Sequence, residues 1–280
     1  MENVSICVQA LVDFIEREGQ LFERSFMHSL RNRKYCTEFT NQIKDYQNED
    51  GGWTRLDADY KGTVSSITCT IMALSKFNCL NLHNELYENT LKYLKNCQHE
   101  DGYWDESEEI LKFNPPRWFY PNNINNRIWF TNGLTRYLIS LGCTDSALLN
   151  KAKNYVKHFC TSDGIRGYIH NSWMGIVTYQ NDEDSISKAI KERCMNRLYE
   201  NCDGFECYNL LWALESLISL NLGLENKVVR KLWDLLNSCK QDEDGGFSTE
   251  AGTQHRVDLA NRLLYTLLKL GIITPSEIKF

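Results

Sequence analysis

The chain has 280 residues and a formal net charge of −6, and its basic residues are scattered rather than striped, which argues against a nucleic-acid partner. Apolar residues make up 42% and aromatics 12%, enough for a sizeable core, and no run approaches the ~18 apolar residues that a membrane-spanning helix needs. Eleven cysteines without a CxxC pair, and an N-terminus without a leader pattern, read as reduced, buried thiols in a soluble cytoplasmic protein.

In chain order, the first helical run covers 4–17, turns at 18–22 and returns through a short stretch to Leu30. A polar-faced helix starts near Arg33 and ends at Gln47. After Trp53 and the loop 54–60 comes an apolar helix over 63–77, then another helix over 86–97. The stretch 105–123 holds three of the four prolines, so it reads as a loop, and a loop of that length suits a lid or a cavity rim. The helix carrying Arg127-Ile128-Trp129-Phe130-Thr131-Asn132 ends near Gly142 and is followed by helices over 146–160 and 172–179. Asp182-Glu183-Asp184-Ser185 reads as the acidic N-cap of the next helix. The run 205–220 is the most apolar in the chain, and the last pair covers 227–239 and 257–270 before Pro275.

Three of the intervening turns are copies of one another. Gln47-Asn48-Glu49-Asp50-Gly51-Gly52-Trp53 returns as Gln98-His99-Glu100-Asp101-Gly102-Tyr103-Trp104 and as Gln241-Asp242-Glu243-Asp244-Gly245-Gly246-Phe247. Degenerate copies lie at 18–22, 162–168 and 200–205. Glycine permits the positive φ that reverses the chain after a helix, and the aromatic buries a large flat face in the seam between neighbouring copies. A helix pair of this kind cannot cover its own apolar face, so the copies must stack on a shared core. One helix pair used about six times, end to end, predicts a single closed domain over 1–280.

Gln-x-x-Asp-Gly-Gly-Trp after an amphipathic helix resembles the QW-type repeat of the terpene cyclase and prenyltransferase superfamily. That superfamily includes squalene-hopene and oxidosqualene cyclases, class II diterpene cyclases and the β subunits of protein prenyltransferases. The resemblance covers nearly the whole chain and is specific for fold rather than for reaction. It implies an all-α protein, a single (α/α)6 toroid with an inner and an outer ring of helices around an apolar cavity. It also implies an isoprenoid substrate.

Class II cyclases of this superfamily carry an Asp-x-Asp-Asp acid where a turn feeds an inner helix. Burial raises a carboxyl pKa and a second carboxylate raises it further, which keeps a proton available for an alkene. The strict motif is absent. The nearest substitutes are Asp203 and Glu206 in Asp203-Gly204-Phe205-Glu206, and Asp258 at the corresponding place in the last repeat; these are the expected catalytic acids. Asp57-Ala58-Asp59 lies further upstream in its loop. Trp53, Trp129, Phe130, Trp173, Tyr208, Trp212 and Tyr265 stand near the starts of inner helices, where their π faces would line the cavity and stabilise a carbocation.

A second reaction is also open. Protein prenyltransferase β subunits hold zinc through an Asp, a Cys and a His, and Cys207-Tyr208-Asn209-Leu210-Leu211-Trp212 is similar to the stretch around their cysteine. Asp203 and Cys207 share a helical spacing and His255 lies in the next repeat, but Phe205 stands where the zinc aspartate should be. The expected function is therefore a class II-type terpene cyclase, with proton-initiated cyclisation of a linear isoprenoid and no metal ligands. Mg2+ enters only with a diphosphate-bearing substrate. The alternatives are a zinc prenyltransferase β-like chain needing a helical partner subunit, and a non-catalytic toroid that binds an isoprenoid.

Overall fold

A computed structural model describes residues 5–57, 59–249 and 252–280; Ala58 of the Asp57-Ala58-Asp59 group and the first residue of the 4–17 run lie outside them. Twelve α-helices are found among the described residues, with one two-stranded antiparallel hairpin, β1 (Cys160–Thr161) and β2 (Gly164–Ile165). The helices form two compact units, one built from Lys44–Leu198 and one from the chain up to Ile43 together with Tyr199–Phe280.

The continuous unit contains α4 (Ile67–Leu80), α5 (Glu85–Cys97), α6 (Ile124–Ser140), α7 (Ser146–Lys157), α8 (His170–Thr178) and most of α9 (Ser185–Asn201). Helices α4, α6 and α8 are buried on nearly every side and pack on one another in that order. A helix covered all round must lie inside; α4 and α8 are largely apolar, whereas α6 buries Asn126, Asn132 and Arg136 among its apolar residues. In contrast α7 buries only Leu148, Ala152 and Val156, one stripe at helical spacing, and presents its other faces to water. The other unit repeats this division. Helices α10 (Cys207–Ile218) and α12 (Thr253–Lys269) are buried along most of their length, while α1 (Val8–Glu18) and α11 (Lys227–Ser238) bury one face each. Helices α2 (Leu21–Arg31) and α3 (Cys36–Ile43) complete it, with α2 packed against α12.

The starts and stops follow from sequence. Side-chain oxygens of Ser66, Asn84, Asp145 and Asn226 accept backbone N–H bonds at the starts of α4, α5, α7 and α11. Asp184 caps α9, its carboxylate accepting from the Ser187 N–H at 3.0 Å, as the acidic tetrapeptide predicts. Four of the buried helices are followed by a left-handed residue: Asn81, Gly142, Asn221 and Gly271, with φ between 48° and 72°. The stretch 105–123 is a loop as expected, but it is organised by two short 3-10 turns, Glu108–Phe113 and Arg117–Phe119, with Ile110 and Phe119 buried beneath it.

The repeated turns share one geometry. The side-chain amide of Gln47 donates to Gly51 O (3.0 Å) and to Leu86 O on α5 (2.9 Å). Gln98 does the same to Gly102 O and to Leu148 O on α7, both at 3.1 Å. Gln241 donates to Gly245 O (2.8 Å) and to the carbonyl of Cys7 (3.2 Å), the N-cap of α1. Helix α1 thus serves the last turn as α5 and α7 serve the first two. Gly51, Gly102 and Gly245 have φ of 88°, 95° and 93°, and a Cβ on any of them would collide with a backbone carbonyl of that adjacent helix. Trp53, Trp104 and Phe247 are fully buried behind the turns.

The degenerate copies differ. Gly19 has an extended backbone, residues 202–204 form a 3-10 turn, and only the copy at 162–168 keeps left-handed glycines, at Gly164 and Gly167. Helices α8 and α12 also begin earlier than their apolar runs suggest, at His170 and Thr253.

Candidate active site

Past the half-buried first turn of α10, the small remaining solvent access falls on Trp212, Glu215 and Ile218, spaced three residues apart, with Tyr208 one turn before Trp212. Along the buried stretch 257–267 of α12 it falls mainly on Asp258, Arg262 and Tyr265, again one face. The two helices pack together, and Arg262 joins their faces. Its Nε donates to Asp258 Oδ2 at 2.6 Å, one turn earlier on the same helix, and its Nη1 donates to Glu215 Oε2 at 2.7 Å across the helix pair. The side chains of Arg262, Glu215 and Asp258 are 5%, 4% and 8% exposed. The guanidinium carbon lies 5.9 Å from the Trp212 ring centre, and Tyr208 meets Trp212 edge-on at 5.6 Å. Two carboxylates thus converge on one guanidinium, nearly closed to water and bordered by aromatic rings.

Asp258, Tyr208, Trp212 and Tyr265 are therefore brought onto one face pair. Asp203 and Glu206 are not. Asp203 is the middle residue of the 3-10 turn before α10, with its side chain 65% exposed and ion-paired to Lys231 Nζ at 2.7 Å. Glu206 is the exposed N-cap of α10 and makes no side-chain capping bond. Both are open to solvent, so the closed apolar surroundings expected of the Asp203–Glu206 pair are not found there.

The remaining aromatics belong to the continuous unit. Trp53 is a seam plug whose indole N–H donates to Thr90 at 2.8 Å. Phe130 and Trp173 are fully buried, Trp173 against His170 with ring centres 4.9 Å apart. Trp129 keeps a little access and packs on Phe130 at 5.3 Å.

Sequence reasoning missed Glu215, Arg262 and Glu106. Glu215 is an acid inside the most apolar run of the chain, and Arg262 stands four residues after Asp258; both were signals, since buried charges survive in pairs. Glu106 is fully buried and accepts from the Ile67 and Thr68 N–H groups and from the Ser66 and Thr68 hydroxyls, each at 2.8 Å. Burial pushes its carboxyl up to about 7 against the pull of those four donors. It ties the 105–123 loop to the first turn of α4. Lys76 on α4 and Arg136 on α6 are buried cations that the helical patterns gave no reason to single out.

The zinc-type positions are engaged elsewhere: Asp203 by Lys231, and the Cys207 thiol by Cys239. Magnesium does not fit the α10–α12 cluster, because Arg262 already occupies the place between the two carboxylates that a divalent cation would take.

Alternating buried and one-faced helices joined by repeated turns define an all-α helical-pair architecture. A model of the prenyltransferase alpha-alpha toroid domain family matches residues 21–171 and 186–278, and the chain belongs to that family. No curated protein matches the chain. The family supports a prenyl-related function in general. No helix among the described residues is long and apolar enough to cross a membrane.

Proposed function

We propose that the protein is an isoprenoid cyclase that starts its reaction by protonation, with the acid on the α10–α12 face. The observation that carries this reading is the pair Glu215 and Asp258 gathered on Arg262 beside Trp212, all nearly closed to water. Burial and the neighbouring carboxylate both favour the neutral acid, so one of the two carboxyls can hold a proton there. That proton passes to a terminal alkene carbon of the substrate, and the neighbouring carbon becomes cationic. The cluster gains a negative charge at the moment the substrate gains a positive one, which stabilises the charged state over the resting one. The faces of Trp212 and Tyr208 meet the cation without supplying a lone pair for it to alkylate. Loss of a proton from the cyclised skeleton ends the reaction.

The test is incubation of purified protein with a panel of polyprenyl diphosphates and squalene, with extracts analysed before and after phosphatase treatment. Asp258→Asn and Glu215→Gln are each expected to lower product formation by at least ~100-fold, and the double variant to be little worse, because the two act as one unit. Circular dichroism of each variant checks that the fold persists. Full activity in both variants, with loss in Asp203→Asn or Glu206→Gln, would move the acid to the exposed turn. Isoprenoid binding without turnover would make the chain a carrier.

A further inference from the structure

Helices α10 and α11 run as a hairpin, so the first residue of α10 meets the end of α11. Cys207 is that first residue and Cys239 is the C-cap of α11. Both thiols are reduced and half-buried, so each touches its partner yet remains within reach of a small solute. The two side chains share a hydrogen bond, and the Cys239 sulfur also lies 3.5 Å from the Leu235 carbonyl oxygen. The hydrogen bond between them splits their acidities: Cys207 is held well above the ordinary thiol range, and Cys239 is brought below it. Cys239 therefore forms a thiolate more readily than an ordinary thiol, with the Cys207 thiol already in contact.

We propose that Cys207 and Cys239 are a modification site, closing to a reversible disulfide when the protein meets a hydroperoxide. The Cys239 thiolate attacks the terminal peroxide oxygen; the O–O bond breaks, the departing oxide takes up a proton, and Cys239 becomes a sulfenic acid. Cys207 then attacks that sulfur, the S–S bond forms and water leaves with the Cys207 proton. Two thiols lose two hydrogens and two electrons, and one hydroperoxide is reduced. The bond would fasten the start of α10 to the end of α11, immediately before Tyr208. The chemistry needs only the two sulfurs and is independent of the cyclase reading.

The experiment treats the full chain with hydrogen peroxide in slight excess, blocks remaining thiols, and digests without reduction. Cleavage after Glu206 separates Cys207 from Cys202, so the bridge can be assigned. The expected result is an intact mass lower by about 2 Da, the two hydrogens lost, and a Cys207–Cys239 cross-linked peptide that dithiothreitol releases. Cys207→Ser and Cys239→Ser should each abolish that peptide, whereas Cys202→Ser should leave it in place. The Cys207→Ser variant should instead accumulate sulfenic acid at Cys239, trapped by dimedone, which tests the order of attack even if the bridge is short-lived. Cross-links between other cysteines, or over-oxidation of Cys207 and Cys239 without a bridge, would overturn the proposal.

Discussion

Arg262 stands between two carboxylates in a place nearly closed to water, so its removal exposes the energetics of the cluster most directly. Arg262→Met removes the guanidinium from both Glu215 and Asp258, and should cost about 3–5 kcal/mol in urea unfolding. A cost below about 1 kcal/mol would mean that the carboxylates do not depend on the guanidinium. Glu106 gives a pH test with a definite sign. Its carboxyl is raised from 4.5 to about 7, so between those values the folded chain holds a proton that the unfolded chain has released. Its contribution to stability is present below pH 4.5 and is lost as pH rises through about 7, some ~3 kcal/mol in total. Glu106→Gln should remove that slope from the difference between unfolding curves taken across the window; an unchanged slope would mean that the four donors outweigh burial. Trp118 offers a third residue-scale readout. Its 44% exposure contrasts with six other tryptophans that are all buried. Acrylamide should therefore quench one component of the fluorescence strongly, and Trp118→Phe should remove it.

Among the elements, the repeated turn is where sequence and structure agree most closely. Gln, Asp and Gly in this order encode a side-chain clamp, a local carboxylate–amide bond and a left-handed residue, three local devices that need no tertiary information. The test pairs two glycines with similar φ. Gly102→Ala drives a Cβ into the Lys151 carbonyl and should cost several kcal/mol, whereas Gly142→Ala meets open space and should cost only the strain of the left-handed backbone, about 1 kcal/mol. Equal costs in urea unfolding would show that the close approach to the adjacent helix contributes nothing. Where the devices are diluted, legibility fails. Gly19 is followed by Gln20, whose capping box with Glu23 starts α2, so the copy at 18–22 is a helix start rather than a left-handed turn. The acids show the same division. Asp203 and Glu206 match the motif by spacing, but burial depends on which helix packs above them, and spacing carries no such information. Asp258 lies on the α12 face that Arg262 links to α10. Arg262 is one turn from it in sequence, but Glu215 lies across the helix pair, 47 residues from Arg262, and no local pattern connects them.

At the scale of the whole molecule, repetition made the family legible, since the same turn three times over leaves few architectures open. What repetition could not reveal is that α1 supplies the carbonyl that receives Gln241. Deleting residues 5–19 should therefore act like removing an internal helix, giving a broad melt and dye binding in differential scanning fluorimetry; a sharp transition within about 3 °C of the full chain would contradict this. The same contact has a consequence for biosynthesis. Residues 44–198 leave the ribosome as one uninterrupted stretch that makes up one compact unit. The nascent α1 emerges more than 200 residues before Gln241 and α12, against which it packs. Through most of translation its Leu11, Val12, Phe14 and Ile15 must stay uncovered or be sheltered by a chaperone. The unit that carries Glu215, Asp258 and Arg262 is thus completed only after α12 has left the exit tunnel.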